Sequence, residues 1–366
     1  MAFQTKFAES KASMKKPSIR SAILSIACAI GSPALFAAPV KPLQSPWDGT
    51  PVIQKDAAYA CPSLPHLSTD LVTDGFYRLD DPTHSIIDPV RQAAYDRASK
   101  NVKGAGVEIV AAADDFRKTG SRAAAVCSLN LINALAAQNS MDGKMSSNQA
   151  YYVQGWVAGA IAIAYLKVCG YGLSDPQKDA SIAAWLKRIA DHTKSFYDAK
   201  KEGDGNRNNH FYWAGIEVAA IGTLANDRTD FDWGVKAYSS GVDDIQPDGT
   251  LPLEMKRGSR ALHYHLYALA PLVLLAEFGE ANGIDLYARD NGALHRLVNT
   301  SVQGLIDPTF FERASGVKQE ISARPSGDQI GWAPPYLRRF PNTALKTFVV
   351  QASSLSVYYL GGLPPP

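Results

Sequence analysis

Several chemistries are missing from this chain. It has no Gly-rich phosphate loop and no βαβ rhythm, which removes a nucleotide-binding sheet. It lacks an HExxH helix and a GxSxG elbow, so neither a zinc peptidase nor an α/β-hydrolase serine has its usual frame. Strand-like alternation is scarce; the one candidate is "TLPLEM" at 250–255. Charge of one sign is also missing. With 37 basic and 35 acidic residues in 366, no global field favours nucleic acid, and an anionic partner must be met by a local cluster. Cysteine is sparse, at four residues.

What is present begins with a leader. Lys6, Lys11, Lys15, Lys16 and Arg20 precede the apolar run "AILSIACAIGSPALFAA". That order predicts a signal peptide over residues 1–38, cleaved near Ala37 or Ala38, and hence a periplasmic protein with no membrane attachment after cleavage. A permanent span is disfavoured by Gly31, Ser32 and Pro33. A lipoprotein is disfavoured because Leu24 lies four residues before Cys28 rather than three. Loss of five basic residues and Glu9 takes the net charge from +2 to about −2. In an oxidising compartment two of the three remaining cysteines can pair. Cys61 opens the proline-rich "CPSLPHL", which needs a staple. We pair it with Cys127 and leave Cys169 free in an apolar helix.

Residues 39–90 are irregular and rich in proline, with a lid-like loop near 74–90 that includes "DGFYRLDDPTHS". Helical periodicity then covers roughly 87–103, 105–118, 122–138, 147–169, 175–200, 209–225, 230–241, 257–281, 291–304 and 344–361. "SDPQ" at 174–177 and "TDFDW" at 229–233 read as helix starts with serine and threonine caps. Short turns between helices and no break in composition predict one all-α domain over 39–366, built of helical hairpins. The apolar "GWVAGAIAIAYLKV" at 155–168 reads as a core helix, since it is too short to span a bilayer.

Two stretches carry chemistry. In "NRNNHFYWAG", Asn206, Asn209, His210 and Trp213 fall within an arc of about 100° on a helix that starts near Asn206. An asparagine cap explains part of this, but a histidine and a tryptophan on the same face suggest a working surface. In "EMKRGSRALHYHLYALAPL", Arg257, Arg260, Tyr264 and Tyr267 form a second narrow stripe. A buried stripe of two arginines would need carboxylates, and a solvated one has no use for two tyrosines. A cleft gripping an acidic ring satisfies both, with arginine on a carboxylate and tyrosine as a stacking face. His263 and His265, two apart on a helix, diverge and make a poor metal pair. Asp243, Asp244 and Asp248 are candidates for a hydrolase carboxylate pair, against the plainer reading of a polar turn.

"NNHFYWAG" followed by "DGTLPLEMKRGSRALHYHLYALAPL" resembles the alginate lyases of polysaccharide lyase family 5, with "FDW" at 231–233 and "NGIDLY" at 282–287 extending the likeness. The resemblance implies an incomplete (α/α) toroid, an anionic polysaccharide as partner, a monomer, and β-elimination without cofactor or metal. It places catalysis on Asn209, His210, Arg257 and Tyr264. Asn209 and Arg257 would neutralise the uronate carboxylate, and Tyr264 would act as acid and base, its pKa lowered by Arg257 and Arg260. Arg260, His263 and Lys256 would bind substrate, Trp213 and Tyr267 would wall the sugar site, and Tyr77 and Arg78 would belong to a lid. Alginate is the expected polymer, with polyglucuronate or hyaluronan as alternatives, and a non-catalytic polyuronate-binding protein as the remaining reading. Phe211, where these lyases carry a small polar residue, marks a departure bearing on that choice.

Overall fold

The computed structural model describes residues 41–200, 207–322 and 324–366. The leader, Gly205 and Asn206 lie outside the described residues. Pro42–Pro366 form one unit. Thirteen α-helices occur among the described residues: α1 Pro89–Thr119, α2 Arg122–Ala137, α3 Asn148–Val168, α4 Pro176–Asp198, α5 Asn209–Ala225, α6 Arg228–Asp243, α7 Pro252–Met255, α8 Ala261–Ala281, α9 Arg289–Ile306, α10 Thr309–Ser315, α11 Gly327–Ile330, α12 Ala333–Arg339 and α13 Thr343–Gln351. Pairing between extended segments is limited to isolated bridges such as Lys55 with Ser121 and Leu71 with Met145. "TLPLEM" is not a strand: its last four residues form α7.

Side chains set most helix starts by accepting the orphan N–H groups of the first turn. Asp88 caps α1 ahead of Pro89, and Ser121 and Ser147 cap α2 and α3. The expected serine and threonine caps of α4 and α6 are instead Asp175 and Asp227. A carboxylate also interacts with the helix dipole, which a hydroxyl cannot. Ser174 turns to donate to Asp179 Oδ1 at 2.5 Å. The two runs predicted at 87–103 and 105–118 form one helix that continues through Gly104. The run predicted to end near 361 stops at Gln351.

The helices alternate between two layers. α1, α3, α5 and α8 touch in sequence and form the inner layer, while α2, α4, α6 and α9 lie outside them. Burial follows this order. α3, α5 and α8 are buried on nearly every side, whereas α4, α6 and α9 each bury one stripe. The α8 span that is apolar enough to cross a membrane is 89% buried inside the protein. α5 and α6 approach so closely that a Cβ on Gly234 would lie 2.5 Å from the Gly215 carbonyl oxygen. Among the described residues no long helix closes the ring between α8 and α1. α11 and the 3-10 turn Tyr358–Leu360 fill that side, which makes the toroid incomplete. The chain's end is fixed there by Lys167, buried on α3, which pairs with Asp114 at 2.6 Å and donates to the carbonyls of Gly361 and Leu363. A Cys61–Cys127 disulfide, Cα to Cα 5.6 Å, staples the N-terminal segment to α2 and leaves Cys169 unpaired at the end of α3.

Candidate active site

A cleft of about 800 Å³ opens at one end of the inner helices. The 74–90 segment covers part of it as a small hairpin, with Tyr77 bridged to Ile87 and Arg78 N–H donating to the Ile86 carbonyl. Its tip is organised by Asp81, which accepts from the Thr83 hydroxyl and from the N–H groups of Thr83, Ser85 and Ile86. Burial opposes the charge on Asp81, but these hydrogen bonds outweigh it and hold the carboxyl well below its ordinary range.

The hairpin is docked on the residues read as catalytic. Arg257 donates to the carbonyls of Thr83 (3.0 Å) and His84 (2.6 Å), and its guanidinium lies 3.6 Å over the Tyr264 ring. Tyr77 and Tyr264 share a hydroxyl hydrogen bond of 2.5 Å, and Arg260 donates to the Tyr77 oxygen at 2.9 Å. Arg257 and Arg260 precede α8, in and beside the 3-10 turn Gly258–Arg260, rather than forming part of its stripe. The expectation that they depress the Tyr264 pKa is corrected. Burial pushes the phenol up, the two arginines offset only part of this, and Tyr77 adds to the rise. At rest Tyr264 is a phenol, equipped to give a proton rather than take one.

α5 contributes the other half, and it starts at Asn209 rather than near Asn206. Asn208 is the cap, its Oδ1 accepting from His210 N–H at 3.1 Å. The His210 ring lines the cleft and stacks on Tyr152 at 3.8 Å. Burial, with Arg257 and Lys200 adding to it, pulls its pKa down to about 3, so at rest it is a neutral imidazole. Asn209 is fully buried and does not line the cleft. Its backbone and side-chain N–H groups donate to Glu254 at 2.8–2.9 Å. The side-chain amide is thereby turned towards Glu254, and with Asn209 buried outside the cleft lining, the expected contact to a sugar carboxylate is not the one this arrangement shows. It ties the start of α5 to the turn that carries Arg257.

The remaining expectations divide. His263, Arg260 and Tyr267 line the cleft, and Arg78 lies on its rim, paired with Asp80. Lys256 is exposed and outside it. Trp213 is buried behind Tyr267, 5.0 Å away, rather than forming a sugar wall. Phe211 is also buried, packed against Tyr197 and Trp233 with Arg207 over its ring, and touches no substrate surface. His265 is structural, accepting from Leu251 N–H and bonded to the Ala261 carbonyl. Among the described residues no three His, Cys, Asp or Glu side chains converge as a ligand set. Asp243 pairs with Arg289 and Asp248 with Thr250, so the turn reading of that region stands.

Sequence reasoning missed the α3 wall. Gln149, Tyr152 and Trp156 line the cleft, as do Tyr95 and Lys103 of α1, Asp328 of α11 and Tyr359. The spacing of Gln149, Tyr152 and Trp156, polar and aromatic at three and seven residues, was the available signal.

Comparison with known proteins fits this geometry. The alginate lyase family model matches residues 75–311, from the lid to α10. A polysaccharide lyase of Stenotrophomonas maltophilia (strain K279a) is 38% identical, over 77% of this chain and 83% of its own. An alginate lyase of Pseudomonas syringae pv. syringae (strain B728a) is 32% identical over 77% and 75%. In fold the chain is similar to alginate lyase A1-III of Sphingomonas species A1, with TM-score 0.71 at 24% identity over 84% and 86% of the two chains. A variant of A1-III complexed with a tetrasaccharide gives 0.73 at 23% identity over 87% and 88%. With its family model matched from lid to α10 and its helices arranged as an incomplete α/α toroid, the chain belongs to the alginate lyase family.

Proposed function

We propose that this protein cleaves alginate by β-elimination, with the cluster Arg257–Tyr264–Tyr77–Arg260 as its catalytic centre. The observation that carries the reading is the phenol of Tyr264, set beneath one guanidinium and linked through Tyr77 to another, in the same cleft as a neutral His210. Arg257 and Arg260 meet the uronate carboxylate and stabilise the enolate-like charge that builds on it as C5 loses its proton. Tyr264 first yields its proton through the hydrogen-bonded Tyr77 hydroxyl to solvent in the cleft. As phenolate it takes the C5 proton, and it returns that proton to O4 as the C4–O4 bond breaks. The C5–H electron pair becomes the C4=C5 bond, the C4–O4 pair leaves with the released sugar, and no water is consumed. For sugars whose C5–H faces the other way, His210 takes that proton directly while Tyr264 protonates O4. Tyr152, Trp156 and Tyr267 supply stacking faces, and Lys103 offers a cation farther along the cleft.

One observation favours a second polymer. Asp328 faces the cleft, where a carboxyl group can hydrogen-bond the hydroxyls of a neutral sugar and, when ionised, repels a uronate. Hyaluronan, in which uronates alternate with neutral sugars, fits that pattern. Incubation with polymannuronate, polyglucuronate and hyaluronan, followed by mass spectrometry, tests both readings. Elimination gives oligosaccharides one water lighter than hydrolysis products. Products of hydrolytic mass, or no cleavage of any of the three, would overturn the proposal. Periplasmic residence is part of the same proposal, supported by the leader sequence and by the disulfide, which suits an oxidising compartment. So is action as a monomer, because one chain supplies every residue named.

A further inference from the structure

Behind His210, on the side away from the main cleft, lies a second cavity of about 10 Å³, room for about one water. Three of its lining side chains bring buried nitrogens with no hydrogen-bond partner: His210 Nδ1, Trp156 Nε1 and Trp213 Nε1. The same cavity is lined by Glu217 of α5, fully buried and without a cationic partner. Among the described residues its hydrogen bonds come from the Thr193 hydroxyl, 2.9 Å to Oε1 and 3.1 Å to Oε2. A buried carboxyl costs several kcal/mol unless its polar atoms are satisfied, so its place beside orphaned nitrogens needs a reason. α3 makes room for it with Gly155, where a Cβ would lie 2.6 Å from Glu217 Oε2.

We propose that Glu217 is a positioning residue for His210. Through one water seated in this cavity, its carboxyl oxygen holds Nδ1 in the N–H form and leaves Nε2 as the ring's proton acceptor. The water accepts from His210 Nδ1–H and from an indole N–H, and donates to Glu217, so that a site with one donor-rich side and one acceptor is satisfied. Tyr152 stacked on the other side of the cavity keeps the ring plane fixed. The titratable groups around Glu217 are Tyr151 and Tyr152 from α3, Tyr197 from α4 and His210 itself, with Arg257 and Lys200 acting on His210. Burial raises the pKa of Glu217 to about 8, so the carboxyl is neutral at neutral pH and becomes a stronger acceptor above it.

The inference rests on the role given to His210 above, but its first test needs no turnover. In ¹⁵N-imidazole spectra of the whole chain, with His210 assigned by its loss in His210→Gln, the unmutated ring is expected as the Nδ1–H tautomer. Glu217→Leu shifts it towards Nε2–H and lowers kcat about tenfold with KM changed less than about twofold. Glu217→Gln, which keeps an oxygen acceptor, retains the tautomer and most of kcat but loses the change in the pH–kcat profile near pH 8. Glu217→Met, of similar size and also without an oxygen acceptor, shifts the tautomer in the same direction as Glu217→Leu and keeps the test open should the leucine variant fail to fold. A His210 ring signature unmoved in every folded variant overturns the inference, whatever happens to activity. If the unmutated chain cleaves no polyuronate, the functional proposal fails, and the tautomer measurement still decides this one.

Discussion

Glu217 also provides a thermodynamic test of how the inner helices are built. Its carboxyl is fully buried and burial raises its pKa to about 8 from an ordinary 4.5. The unfolded chain ionises this group near 4.5 while the folded chain keeps it protonated, so the unfolded state binds fewer protons between those values. Stability is therefore fully present below the unfolded pKa and falls as pH rises towards the folded one, by about 1.4 kcal/mol per pH unit. Over the whole window the loss approaches about 5 kcal/mol, and between about pH 5 and pH 8 it is about 4 kcal/mol. Glutamine has nearly the same shape and cannot ionise. Urea unfolding of the disulfide-intact protein, followed by tryptophan fluorescence at about pH 5, 6.5 and 8, should show Glu217→Gln gaining on the unmutated protein as pH rises, by a few kcal/mol in total. A stability difference that stays constant across that range would mean Glu217 is already ionised in the fold, and the burial argument would be wrong.

Arg257→Lys should lower kcat by about 10²–10³, the cost typical of losing one preorganised stabiliser of a developing anion. It should also raise KM, because an ammonium cannot reproduce the forked contact to Thr83 and His84; steady-state kinetics giving a kcat within about threefold would remove Arg257 from the centre. Phe211→Ser should destabilise the protein by about 3–5 kcal/mol, as expected for deleting a buried aromatic ring, while leaving the preference among polyuronates unchanged. A change in relative rates on polymannuronate and polyglucuronate greater than about threefold would return Phe211 to the specificity question.

How much of this was legible in the sequence varied with the kind of question. Helix positions were marked by the periodic runs, and an asparagine cap was legible at Asn208, but the serine and threonine caps read in "SDPQ" and "TDFDW" gave way to the neighbouring carboxylates of Asp175 and Asp227. Helix phase also identified which residues share a face, but not what that face meets. Trp213 and His210 lie on neighbouring faces of α5, yet one packs behind Tyr267 and the other reaches the cleft, because Trp156 and Tyr152 of α3 occupy the space between. Arg257 and Arg260 were placed on a helical stripe they do not belong to. A turn brought them to Tyr264 instead, and its conformation depends on Glu254 and Asn209 from separate elements. Tyr359 had no local signal at all. It reaches the cleft because Lys167, almost two hundred residues earlier, holds the carbonyls just beyond it. The Tyr264 pKa failed for a related reason: charge neighbours can be read from a sequence, whereas burial is a property of the packed whole.

The central claim is that Tyr264 carries the proton in an elimination. It is tested most directly by adding polymannuronate to the unmutated protein and to Tyr264→Phe and recording the ultraviolet absorbance of the new C4–C5 double bond. The ring of Tyr264 is buried and, among the described residues, its hydroxyl bonds Tyr77 alone, so the phenylalanine variant should fold and stack as before. The account predicts steady growth of absorbance for the unmutated protein and a loss of at least about 10³-fold in the variant, within the range for removing a general acid–base. Unimpaired growth of absorbance in Tyr264→Phe would contradict it.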